Sequence, residues 1–206
     1  MSRKPRYYLL ALIVSVAVGL GGAPAWSETE DALLRRLEAY LNGITTLSAN
    51  FLQVNYDGSI SEGTIAISRP GLMRIDYADP LQIEIISDGE WITYIDRELG
   101  QLSQAPLNGS HAELLVSNDL RFGEDVTVIL VTREANIIEV TFARTENPEE
   151  GSMTLVFADN PLELRQWLVV DPLRQTTRVT LFDTRFGLAL DPALFEAPPP
   201  FPESDK

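Results

Sequence analysis

One histidine, thirty carboxylates and no cysteine define the chemistry open to this 206-residue chain. His111 could act as the base of a Ser-His-Asp triad, which needs only one imidazole. No G-x-S-x-G accompanies it, and it falls in a short helical stretch beside Glu113, where an ordinary polar role suffices. Carboxylates could flank a glycosidic bond as acid and nucleophile. Here Glu146, Glu149 and Glu150 fall in a hairpin loop, and Glu28, Glu30 and Asp31 in a first helical turn, where the helix dipole favours negative charge. Solvation explains both groups. Without cysteine there is no disulfide, thiolate metal site or iron-sulfur cluster, and no H-E-x-x-H, EF-hand loop or phosphate-cradling glycine loop occurs. Asn108-Gly109-Ser110 matches a glycosylation triplet, to which no role is assigned. The expectation is a protein without catalysis, metal or cofactor.

Thirty acidic against sixteen basic side chains give a net charge of −14. That charge repels nucleic-acid phosphates and anionic headgroups, so no nucleic-acid partner is expected. At the start of the chain Arg3, Lys4 and Arg6 form a basic segment, residues 7–22 are almost wholly apolar or small, and Ala23-Pro24-Ala25 supplies an A-x-A pattern. This predicts a signal peptide over 1–25 cleaved after Ala25. Its apolar core of about 16 residues falls short of the roughly 20 that span a bilayer. With no cysteine to lipidate, the expected product is a soluble exported protein. Removing three positive charges makes its net charge −17. A single domain over 26–196 is expected, followed by a Pro-rich flexible tail over 197–206.

The elements that would position any site begin with a helix. Ser27 and Glu30 fit an S-x-x-E capping box, and Leu33, Leu34, Leu37, Tyr40 and Leu41 recur at helical spacing before Asn42-Gly43. Period two follows: Leu47, Ala49 and Phe51; Ile65 and Ile67; Met73, Ile75 and Tyr77; Leu81, Ile83 and Ile85; Trp91, Thr93 and Ile95. Asp57-Gly58, Arg69-Pro70-Gly71, Asp79-Pro80 and Asp88-Gly89 mark turns between them. A short helix near 110–116 precedes strands near 126–131, 136–144, 153–157, 164–170 and 176–183, with one more possible near 100–104. Ten or eleven antiparallel strands in one domain must curl, because a twisted sheet does not stay flat. The curl is either packed solid or left hollow beneath a helical lid, and composition leaves both open.

Specific residues narrow the choice. Phe51-Leu52-Gln53, Gly63, the run from Ser68 through Pro70 to Arg74, Ser87-Asp88-Gly89 with Trp91 and Tyr94, and later Trp167 and the strand at 177–181 resemble the LolA family of outer-membrane lipoprotein carriers. The likeness spans nearly the whole mature chain. It implies a mainly β (α+β) single-domain half-barrel of about eleven antiparallel strands, with a helical lid over a hydrophobic cavity. It further implies a monomeric periplasmic carrier of triacylated lipoproteins, loaded by an inner-membrane ABC-type transporter and unloaded at a possible outer-membrane receptor lipoprotein. Alternatives are a lipid- or lipoprotein-sensing regulatory domain on the same fold, or an exported carboxylate-based hydrolase.

The resemblance makes Arg69 the lid latch, an arginine tying main-chain carbonyls of the lid at the cavity mouth. A strand-edge arginine paired to a surface carboxylate is the plainer alternative. Met73 matches a bulky apolar position facing the cavity. Alternation adds Phe51, Ile65, Ile67, Ile75, Ile85, Trp91, Ile95, Leu155 and Trp167 as lining candidates. The strongly acidic charge departs from docking by a basic patch, and the Pro-rich end reads as a tail rather than an added strand and helix.

Overall fold

The computed structural model describes residues 28–199. The expected signal segment, its cleavage site at Ala25, the capping role of Ser27 and the tail beyond 199 lie outside them. Helix α1 spans Glu30–Gly43, and its N-cap is Thr29, whose hydroxyl accepts from the Ala32 amide. Leu33, Leu37 and Leu41 form its buried stripe.

Eleven strands follow: β1 (Thr46–Val54), β2 (Ile60–Ser68), β3 (Leu72–Tyr77), β4 (Ile83–Asp88), β5 (Trp91–Asp96), β6 (Gln101–Pro106), β7 (Val126–Glu134), β8 (Ile137–Arg144), β9 (Ser152–Ala158), β10 (Glu163–Val170) and β11 (Thr176–Phe186). All pair antiparallel in one sheet ordered β6-β5-β4-β3-β2-β1-β11-β10-β9-β8-β7. The half-barrel expectation holds. β11 returns to pair with β1, so two meanders flank one central seam, and edge strands β6 and β7 do not meet. Helix α2 (His111–Val116) lies in the connection between those two edges. Leu33, Leu37 and Leu41 of α1, with Leu114 and Val116 of α2, join the same apolar cluster as Leu47, Phe51, Ile67, Val140, Phe142 and Phe157 of the sheet. Both helices therefore roof one face.

Registers identify that face. Antiparallel partners share a side, so Phe51 opposite Gly63, Ile65 opposite Ile75 and Ile75 opposite Ile85 run in a row across β1 to β4. The row continues from Ile85 to Tyr94 and from Ser87 to Ile92. Ile92 and Tyr94, not Trp91, Thr93 and Ile95, thus face inward on β5. The turn through Gly89 and Glu90 is two residues long and is held by Asp88, whose carboxylate accepts from the Glu90 and Trp91 amides. That turn inverts the side-chain parity between β4 and β5.

Apolar residues on the outward side of β5 have their own cover. After β11 the chain runs behind the sheet, and a 3-10 turn at Pro192–Phe195 packs against β3 and β4. Phe195 is 3% exposed, and Ile86 and Ile95 are buried without belonging to the main cluster. Arg74 Nη1 donates to the Leu194 carbonyl on the same side. Removing this plug in Phe195→Ala is expected to cost about 3 kcal/mol, in line with losing a buried aromatic ring. Chemical denaturation measures it, and an unchanged midpoint would make the segment a passive tail.

Candidate functional site

Between the sheet and α2 lies a mainly apolar cavity of about 350 Å³. Six of the ten sequence-named lining residues stand on its wall: Phe51, Ile65, Met73, Ile75, Ile85 and Trp167. Four stand elsewhere. Ile67 and Leu155 belong to the packed cluster and not to the cavity wall. Ile95 is buried on the opposite side of β5, and Trp91, on that same outward side, is 45% exposed. The parity inversion at the β4–β5 turn accounts for the last two. Ile92 takes their place on the wall.

Several wall residues went unnamed from sequence. Ala112 and Leu115 come from α2, three residues apart and so on one helical face. Met153, Val169 and Val179 come from β9, β10 and β11. Gln53 is two residues from Phe51, and alternation alone carried that signal. Phe51 reaches the wall because its cross-strand partner is Gly63: a Cβ there would lie 2.2 Å from the Asp76 carbonyl and 2.7 Å from the Phe51 ring. Its ring also meets Tyr77 edge-to-face at 5.3 Å.

Arg69 sits where the two helices end. Its Nε and Nη2 donate to the Leu115 carbonyl at 2.9 and 2.6 Å, and its Nη1 donates to the Leu41 carbonyl. Those acceptors lie in the last turns of α2 and α1. Neither last turn contains a basic residue, so Arg69 supplies the positive charge that both negative helix ends lack. Among the described residues it has no carboxylate within ion-pair distance, which disfavours the plainer reading. Desolvation pushes its pKa down to about 10, which leaves it charged at neutral pH. Next to it the Gly71 amide donates to the Val116 carbonyl at 3.0 Å, a second tie from this turn to α2.

Away from Arg69 the helices are held by charge. Buried Asp159 accepts from Arg36 of α1 at 2.9 Å and from Arg133 of β7 at 2.6 and 3.0 Å, while Glu28 bridges the same two arginines. The Arg36 guanidinium holds the Asp159 carboxyl below the usual carboxylate range. At α2, Arg144 of β8 pairs with Glu113 at 2.9 Å.

The wall is mainly apolar, and Gln53, Asp171, Gln175 and Thr177 are among its polar side chains. His111, the sole histidine, stands on the cavity wall at the first residue of α2.

A family model described as "Outer membrane lipoprotein carrier protein LolA" matches residues 42–198. The chain belongs to the LolA family. A relative named outer-membrane lipoprotein carrier protein in Methylococcus capsulatus is 29% identical, covering 84% of this chain and 87% of its own. One of the same name in Alkalilimnicola ehrlichii is 30% identical, covering 92% of this chain and 90% of its own. Among solved structures, an uncharacterized conserved protein from Thermus thermophilus superposes with a TM-score of 0.50 at 9% identity, over 82% of this chain and 95% of that one. That likeness concerns the fold alone.

Within this LolA-family cavity, burial pushes the His111 imidazole below its ordinary value, opposed by Glu150. The folded state therefore binds that proton less readily than the unfolded chain. Stability rises with pH across the window below about 6.5 and is lost as pH falls through it. His111→Gln is expected to flatten the fall in denaturation midpoint between about pH 7.5 and about pH 5.5 relative to the unsubstituted protein. Parallel curves would show that His111 is solvated in both states.

Proposed function

We propose that this protein is a periplasmic carrier that binds the acyl chains of lipoproteins in the cavity and ferries them from the inner to the outer membrane. The observation that carries the reading is Arg69, bonded at once to the end of α2, which roofs an apolar hollow, and to the end of α1 beside it. The names of its LolA-family relatives support the cargo class. They also favour a non-enzymatic role.

Three acyl chains hold on the order of 45 methylenes, each worth roughly 0.8 kcal/mol when withdrawn from water, so an unescorted lipoprotein faces a cost of some tens of kcal/mol. The hollow of about 350 Å³ is small beside three acyl chains of on the order of 45 methylenes. Full loading therefore needs the helices to lift. Lifting breaks the Arg69 bonds to carbonyls, which are worth about 1.5–3 kcal/mol each. These bonds are strong enough to hold an empty lid shut and weak beside acyl burial, so the same contact permits loading and favours release.

Cargo would arrive from an inner-membrane ABC-type lipoprotein transporter and leave to an outer-membrane receptor lipoprotein or to the membrane itself. The working form is the monomer left after cleavage at Ala25, and the latch is Arg69. Met73, Phe51, Ile65, Ile75, Ile85 and Trp167 contact the chains.

Arg69→Leu is expected to leave the protein folded and able to load, while slowing transfer of bound lipoprotein to an acceptor at least about tenfold, since more than 1.4 kcal/mol of closing energy is lost. An unchanged transfer rate would remove the latch. Trp167 stands on the cavity wall and Trp91 does not. Titration with a synthetic triacylated lipopeptide is therefore expected to change tryptophan emission in Trp91→Phe and to lose most of that change in Trp167→Phe. The reverse pattern would place the ligand outside the cavity.

A further inference from the structure

A second concavity of about 660 Å³ lies beside the first, at the ends of β2 to β5. The two share Gln53 and Tyr77 on their walls. These side chains are bonded: Tyr77 Oη donates to Gln53 Oε1 at 2.9 Å, and Gln53 Nε2 donates to Asn55 Oδ1 at 2.7 Å. The boundary between the apolar cavity and the outer groove is therefore a pair of neutral polar groups.

Beyond that boundary the wall is mixed. Ile83 and Tyr94 continue the apolar floor, while Asn55, Ser59 and Ser61 bring an amide and two hydroxyls. The charged residues on this wall are Glu62 and Asp79, and no lysine, arginine or histidine lines it.

We propose that this groove receives the uncharged polar junction of the cargo, the glyceryl esters and amide that join acyl chains to peptide, and so favours acylated protein over phospholipid. The inference rests on the carrier reading above. Where the chains leave the cavity, the next atoms are ester and amide carbonyls that need donors. Gln53 and Asn55 carry amide N–H groups, Ser59 and Ser61 carry hydroxyls, and Tyr77 frees its own hydroxyl when its bond to Gln53 opens. A phospholipid with the same tails would set a phosphodiester there, facing two carboxylates and no cation. Its negative charge would lose hydration without a charged partner. Tails cannot discriminate between these lipids because they are alike, so a carrier working among phospholipids must select at the head.

The test uses two ligands matched in chain number and length: an N-acetylated dioctanoylglyceryl-cysteinyl peptide with a serine tail, and dioctanoyl phosphatidylglycerol. Each displaces an apolar fluorophore from the mature protein. The lipopeptide is expected to displace it at about tenfold lower concentration, one lost charge-assisted interaction being worth about that factor. Ser59→Lys, on the exposed β1–β2 hairpin, and Ser61→Lys are expected to shift the ratio about tenfold toward phosphatidylglycerol, and Gln53→Leu to weaken the lipopeptide several-fold. Ligands that bind without discrimination, or lysine variants that leave the ratio unmoved, overturn this inference alone. Failure of both ligands to bind at all overturns the carrier reading with it.

Discussion

An antiparallel sheet of eleven strands has one apolar face, and a 14-residue helix and a 6-residue helix must cover it. Most other features follow from that mismatch. The sheet curls and supplies its own filling at one side, where Phe142, Phe157 and Val140 pack beneath α1. On the other side the roof is α2, drawn from the segment that must cross from edge strand β6 to edge strand β7 because the barrel does not close. Too short to fill the space beneath it, α2 leaves a hollow walled mostly by aliphatic and aromatic side chains. The cavity is what remains when a curved sheet is under-covered.

A roof so short has little apolar area with which to hold itself down, and electrostatics takes over part of the task. Arg69 caps two helix ends at once, and its charge stays partly desolvated because carbonyls, not carboxylates, receive it. Carbonyl partners make the contact reversible: breaking it exposes dipoles that water satisfies, without stranding a buried carboxylate. The Asp159 cluster is the opposite case. A carboxylate that is 4% exposed, with two arginines on it, ties the middle of α1, at Arg36, to β7 and the end of β9.

The strands were legible because period two needs nothing beyond alternation, and the turn dipeptides fell where hairpins occur. Strand length was less so: β11 runs on to Phe186 because β1 keeps pairing with it past a bulge, which no local pattern announces. Facing failed on β5. Trp91, Thr93 and Ile95 have the apolar alternation of an inward face, yet a two-residue turn and a covering segment nearly a hundred residues later turned it outward. Apolar character says that a face is covered, not which side of the sheet covers it. For the same reason alternation could not separate Ile67 and Leu155, packed under the helices, from Ile65 and Met73 on the cavity wall.

Sequence by itself determined the composition of the molecule: one amphipathic helix, a meander of antiparallel strands, the acidic charge, the absence of cysteine and, through specific residues, the family. These are properties of neighbours along the chain, and short-range sterics and hydrophobic period express them directly. Tertiary structure alone decided that a hollow survives, which of the inward residues border it, that Arg69 meets Leu41 and Leu115, and that Gln53 and Tyr77 divide one concavity from the next. Each of those contacts joins residues 24 to 46 positions apart. Their distance in space depends on how far the whole sheet curls, a sum over every strand that no local segment contains.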